Sequence, residues 1–209
     1  MPASMECFIR VPVNGAWTSV ARDLCCRLMS GSSFPAGHLV GFFTHDTERI
    51  RAAGAFIAEG AACDDTSLVV ATPGYRAALR AELQRLGLDP ESMIARYQYI
   101  ELDARTLLSQ FMDGDRCDRQ RFHLHLDTLM RQAVARGRPV RAHGEMVNLL
   151  AADGLTEAAL QLEELWNELS REHRFTIFCG YSTCTIDSAQ RFGERVRALH
   201  SHVVVDAGS

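Results

Sequence analysis

The chain has 209 residues, 47% of them hydrophobic and 23% charged. Those proportions belong to a globular domain with one substantial core and argue against a disordered segment. Its 22 basic and 26 acidic residues leave a formal charge of −4, which argues against nonspecific nucleic-acid binding. No run approaches the roughly 20 apolar residues of a membrane-spanning helix. The opening MPASMECFIRVPVN lacks the basic-then-apolar order of a secretory signal. The seven cysteines follow no paired CxxC spacing. The expectation is a cytoplasmic protein with reduced thiols and no membrane partner.

Residues 1–37 form an N-terminal extension. CFIRVPV alternates Cys7, Ile9, Val11 and Val13, as an edge strand does, and Pro12 is tolerable at an edge. AWTSVARDLCCRLM then repeats Trp17, Val20, Ala21, Leu24 and Leu28 at helical spacing. This strand and helix either pack on the domain or serve as a dimerisation arm, and Trp17 is a candidate partner contact.

HLVGFF at 38–43 opens the main domain as a short apolar strand. Asp46 or Thr47 can cap the next helix, which places Ile50, Ala53, Phe56 and Ile57 on one face. SLVVAT at 67–72 reads as a fully buried strand ended by Pro73-Gly74. The helix after it carries Tyr75, Leu79, Leu83 and Leu86 and stops at Gly87. YQYIELD at 97–103 is a strand, 104–111 a helix, and MDGD at 112–115 a break. A longer helix buries Phe122, Leu126, Leu129, Met130 and Ala133 and ends at Gly137. RPVRAHGEM supplies the next strand. Leu155, Ala159, Leu162, Leu165, Trp166 and Leu169 mark another helix, FTIFCGYS at 175–182 a central strand, and 187–200 a helix carrying Phe192, Val196 and Leu199. HVVV is a closing strand and 206–209 a tail.

Strands separated by helices require crossover connections. The expected fold is α/β in three layers, a mostly parallel sheet with helices on both faces. Ligands of such sheets bind at the carboxyl ends of the strands. Those ends supply the ligand-binding candidates: Phe43, His45, Thr72, Asp103, His143, Glu145 and Tyr181.

Three chemistries could occupy that edge. A phosphate loop needs GxxxxGK[ST]; GFFTHDTERI lacks the second glycine, and the chain has no lysine. GYSTC at 180–184 only faintly resembles a nucleophile elbow, because position 184 is cysteine, and beyond Asp187 and His200 no later aspartate-to-histidine arrangement is obvious. Cys179, inside an apolar strand, reads as a small buried hydrophobe. For a metal, His123 and His125 point apart on a helix, while His123 and Asp127 share a face that is more often merely solvated. His143 and Glu145 fall on one face of a strand and would need His45 or Asp103 as a third ligand; hydrogen-bonded strand-end groups are the commoner reading. No metal, cofactor or catalytic residue is expected. The face of Glu163, Glu164, Asn167 and Glu168 reads as solvated or as a partner surface.

The stretch 138–182, with GEM at 144–146, LEELWNEL at 162–169 and FCGYS at 178–182, resembles the MEDS domain. That is a sensory domain of methanogen and methylotroph regulators, including the dichloromethane-responsive repressor, and of proteins that carry histidine kinase modules. HLVGFF, AEG at 58–60, SLVVATPGYRAAL, MDGDRCDRQRF and HSHVVV follow the family's order, so the resemblance covers residues 38–205. It implies a RecA- or KaiC-like core that has lost its phosphate loop, with Glu145 where ATPases carry a metal-binding acidic residue. It also implies signal transduction. The chain would be a stand-alone, non-enzymatic sensory protein that recognises a small organic ligand. Its signal would pass to a histidine kinase or transcription regulator, or through a homodimer, without direct nucleic-acid contact. The alternatives are a residual nucleotide-binding or hydrolytic enzyme on the same core and a scaffolding module.

Overall fold

The computed structural model describes residues 34–187 and 190–206. The extension's strand and helix, Trp17 among them, lie outside the described residues. Six strands form: β1 (His38–Phe43), β2 (Thr66–Ala71), β3 (Tyr99–Asp103), β6 (Val140–Gly144), β7 (Thr176–Ser182) and β8 (His202–Asp206). They form one sheet in the order β3-β2-β6-β7-β1-β8, and every neighbouring pair is parallel. β1 and β2 are buried along their whole length, as strands covered on both faces must be.

One face is covered by α1 (Asp46–Ala62), α2 (Pro73–Arg85) and α3 (Pro90–Ala95). Leu39, Phe43, Val69, Phe56, Leu79, Leu83 and Phe178 form the core there, joined by Phe34. The other face is covered by α4 (Ala104–Phe111), α5 (Arg119–Val134), α6 (Met146–Ala152), α7 (Thr156–His173), α8 (Thr183–Asp187) and α9 (Gln190–Leu199). Val40, Phe42, Phe122, Leu126, Trp166, Ile177 and Tyr181 belong to this second core. Successive residues of β7 alternate between the two cores, which follows from the period of two along a strand.

Several element boundaries differ from the sequence reading. α1 starts at Asp46 with His45 as its N-cap. α2 ends at Arg85, and Leu86 is 39% exposed, not part of the buried stripe. α3 follows the capping Asp89, whose carboxylate accepts from the Ser92 N–H; its six residues are too few to display a period. MDGD is the turn of a small antiparallel hairpin, β4 (Met112–Asp113) with β5 (Arg116–Cys117), and Gly114 takes φ +60° there. The RPVRAHGEM strand ends at Gly144, so Glu145 stands outside it as the N-cap of α6, with φ −94° and ψ −13°. His143 and Glu145 therefore do not share a strand face.

At one place the packing demands a missing side chain. A Cβ on Gly60 of α1 would lie 2.4 Å from Arg141 Cδ. Arg141 is held there by Asp65 at 2.7 Å and the Phe56 carbonyl at 2.9 Å, so it has no freedom to retreat.

Candidate functional site

At the carboxyl edge, Glu145 gathers three connections. Its Oε2 accepts from the Thr72 N–H at 2.7 Å and the Thr72 hydroxyl at 2.8 Å. Its Oε1 lies 3.5 Å from Arg49 Nη2. Its own N–H donates to the Val70 carbonyl. Thr72 also caps α2, accepting from the Tyr75 N–H. One carboxylate thus ties β2–α2, β6–α6 and α1 together.

Arg49 is itself buried, with 5% of its surface exposed. Gly180 leaves room for its stem, since a Cβ there would come within 3.0 Å of Arg49 Cγ. Nη2 also pairs with Asp46 at 3.0 Å, and the guanidinium lies over the Tyr75 ring. Nε and Nη1 have no partner among the described residues, an uncommon and costly state for buried donors.

His143 lies beside this group. Its Nδ1–H donates to the Phe178 carbonyl and its Nε2 accepts from the Tyr75 hydroxyl, each at 2.9 Å. This pairing places the ring proton on Nδ1 and leaves Nε2 as the acceptor. Burial, reinforced by nearby Arg49, pushes its pKa down to about 4 despite the Phe178 bond. Burial likewise raises the Tyr75 hydroxyl.

Of the seven edge candidates, Thr72, His143 and Glu145 come together around Arg49 and Tyr75. Neither of those two was among the candidates. In the sequence Arg49 is one more helical residue and Tyr75 sits on an apolar stripe. Phe43 is core beneath them. His45 is an exposed cap. Asp103 caps α4, accepting from the Thr106 N–H, a bond that lowers its pKa. Tyr181 points away from the edge group, into the opposite core.

One sequence expectation is corrected there. Glu163, a partner-surface candidate, has no exposed surface. Asn167 is half-buried and donates to the Leu199 carbonyl; Glu164 is exposed. Glu163 Oε1 accepts from the Tyr181 hydroxyl at 2.7 Å, and Oε2 lies 3.1 Å from His38 Nε2. Cys179 Sγ is 3.4 Å from Oε2 and 3.3 Å from His38 Nε2. His200 Nε2 is 3.5 Å from Oε1. Burial would raise the Glu163 carboxyl, but His200 and His38 outweigh it and hold it below the usual range. Cys179 is raised by burial and by Glu163. His200 donates through Nδ1 to the Val196 carbonyl at 2.7 Å, so neither ring nitrogen is directed at Ser182.

A second group of His123, Asp127 and Glu172 spans α5 and α7. His123 is already paired with Asp127 and Glu168, and Asp127 with His173.

The site lacks the geometry of a phosphate cradle. Only Thr44 and His45 separate β1 from α1. Asp46 and Glu48 stand in the first helical turn, where their charge disfavours an anion. A cavity of about 10 Å³ lies between the sheet and α6–α7, lined by Ala142, His143, Met146, Trp166 and Cys179; it has room for about one water. A larger cleft of about 260 Å³ lies at the opposite, amino-terminal edge, beside Gly37, Arg141 and Phe175.

The family model of MEDS, described as the MEthanogen/methylotroph, DcmR Sensory domain, matches residues 37–201. The chain belongs to the MEDS family. The matched segment runs from the entry of β1 to the residue before β8, so it includes both polar groups. MEDS is a sensory domain, and a sensory role is consistent with that membership. No curated protein matches the chain. No helix among the described residues is long and apolar enough to cross a membrane.

Proposed function

We propose that this MEDS domain receives a small organic molecule at the carboxyl edge of the sheet and relays its presence to a signalling partner. The observation that carries this reading is Arg49, whose buried Nε and Nη1 lack partners beside Thr72, Tyr75, His143 and Glu145. A carbonyl, carboxylate or hydroxyl oxygen on the ligand would accept from those donors. It would compete with Glu145 for the guanidinium. Because Glu145 also holds the turns before α2 and α6, a change in that pairing would shift two helices. A ligand acts this way only by binding two conformations unequally.

The core is proposed to be RecA- or KaiC-like without a phosphate loop. This is supported by the all-parallel sheet, the two-residue β1–α1 connection and the position of Glu145 at the end of β6. No reaction is assigned to the site. The proposed partner is a histidine kinase or transcription regulator in the cytoplasm, reached through an exposed helix face such as that of Glu164 or through self-association.

The test is native mass spectrometry with thermal-shift screening against short carboxylates, ketones, alcohols and sulfonates. At least one class should bind and raise the melting temperature, and Arg49→Gln should abolish the shift. A panel that binds nothing, or binds Arg49→Gln equally well, refutes the ligand. Affinity capture from native extract then names the partner.

A further inference from the structure

The group beneath the opposite face raises a separate question. His38, Glu163, Cys179 and His200 come from β1, α7, β7 and the turn after α9. Their donor atoms all lie within 4.8 Å of one another. Burying two imidazoles, a thiol and a carboxylate together is costly unless something unites them.

We propose that these four side chains form a binding site for a divalent first-row transition-metal ion, zinc foremost. Four observations support the assignment. The donor set of two imidazoles, one thiolate and one carboxylate is one that zinc accepts in tetrahedral sites. The separations among His38 Nε2, Glu163 Oε2 and Cys179 Sγ, at 3.1, 3.3 and 3.4 Å, approach the edges of a tetrahedron, about 3.3–3.8 Å for metal bonds of about 2.0–2.3 Å, and His200 completes the group with its ring nitrogen within 4.8 Å of the other donors.

The histidines are also oriented from behind. Asn167 donates through Nδ2 to the Leu199 carbonyl, which turns its Oδ1 toward His38 Nδ1 at 3.1 Å. His38 therefore carries its proton on Nδ1 and turns the Nε2 lone pair inward. The Val196 carbonyl does the same for His200, whose side chain is fully buried and whose Nε2 has no hydrogen-bond partner, Glu163 lying 3.5 Å away. The Tyr181 hydroxyl fixes the other Glu163 oxygen. Such outer hydrogen bonds are the usual support of metal-bound histidine and carboxylate.

The charges also balance. A divalent ion with one thiolate, one carboxylate and two neutral imidazoles sums to zero, which suits a buried site. On entry the metal–sulfur bond forms as the Cys179 S–H bond breaks, and the proton leaves to solvent. Four protein donors close the coordination sphere, so the site fastens segments together and is not catalytic. It is independent of the ligand proposed at Arg49, which lies in the other core.

The full-length protein, stripped with chelator under reducing conditions, is titrated with Zn²⁺ or Co²⁺. One equivalent should bind per chain with proton release. Cobalt should give intense tetrahedral bands in the visible and a thiolate charge-transfer band in the near ultraviolet. Cys179→Ser should remove that band, and His123→Gln, in the surface group, should leave it. Asn167→Leu should weaken binding about 10- to 100-fold. X-ray absorption of the zinc-loaded wild type should find one sulfur and three nitrogen or oxygen neighbours, a readout that stands even if Cys179→Ser does not fold. A shell without sulfur, a weak octahedral cobalt spectrum, or a charge-transfer band that survives in folded Cys179→Ser overturns the proposal. So does failure to retain metal, which would leave an imidazolium–glutamate pair in its place.

Discussion

Glu145 shows how much one residue can hold. Its carboxylate receives two bonds from Thr72 and faces Arg49, which is equally buried. Glu145→Gln keeps an acceptor for Thr72 but leaves the guanidinium without its buried counter-charge. The expected loss is about 2–3 kcal/mol, read as a lower urea midpoint; an unchanged midpoint would mean that Asp46 alone compensates Arg49. His143 gives a pH dependence of defined sign. Its folded pKa of about 4 lies below the ordinary 6.5, so the unfolded chain binds the extra proton first. Its contribution is complete above about pH 6.5 and is lost as pH falls toward 4, by a few kcal/mol at most. Urea titrations at pH 7, 6 and 5 on wild type and His143→Gln should converge as the pH drops. Parallel curves would contradict a neutral buried ring.

Helices and strands were legible to different degrees, for identifiable reasons. β1, β2 and β7 were plain because continuous apolar runs bounded by Pro-Gly or polar residues have few other meanings. α6 was hidden because it follows β6 with no breaker; its first residue, Met146, was read as strand and the other six were given no element. That reading placed Glu145 on the wrong element, although it stands at the carboxyl end of β6. Glu163 had a readable signal: it stands four residues after Ala159 and three before Trp166, within the buried stripe of α7. Its charge outweighed its position. His38, Cys179 and His200 lie too far apart in sequence for any spacing rule to join them. In α1, Gly60→Ala should cost about 1–3 kcal/mol despite alanine's better helix propensity, because Arg141 occupies the space a Cβ needs. Thermal denaturation of the variant decides it; a stabilised protein would show that Arg141 can move aside.

The whole molecule is organised by its sheet order. β6 and β7 lie at the centre, β3 and β8 at the edges. Hydrogen exchange should therefore be slowest in 140–144 and 176–182 and fastest, among strands, in 99–103 and 202–206. Edge strands protected as strongly as β7 would show that a second copy or a partner covers them. The sheet's second consequence is mechanical. β1, which opens the domain, and β8, which closes it, lie side by side and parallel. The chain thus enters at one end of the sheet and leaves at the other. A force drawn between those ends slides the two strands against each other and loads their hydrogen bonds together, not one at a time. A domain strung in this geometry resists tension and can carry a pull from one neighbour to the next without opening.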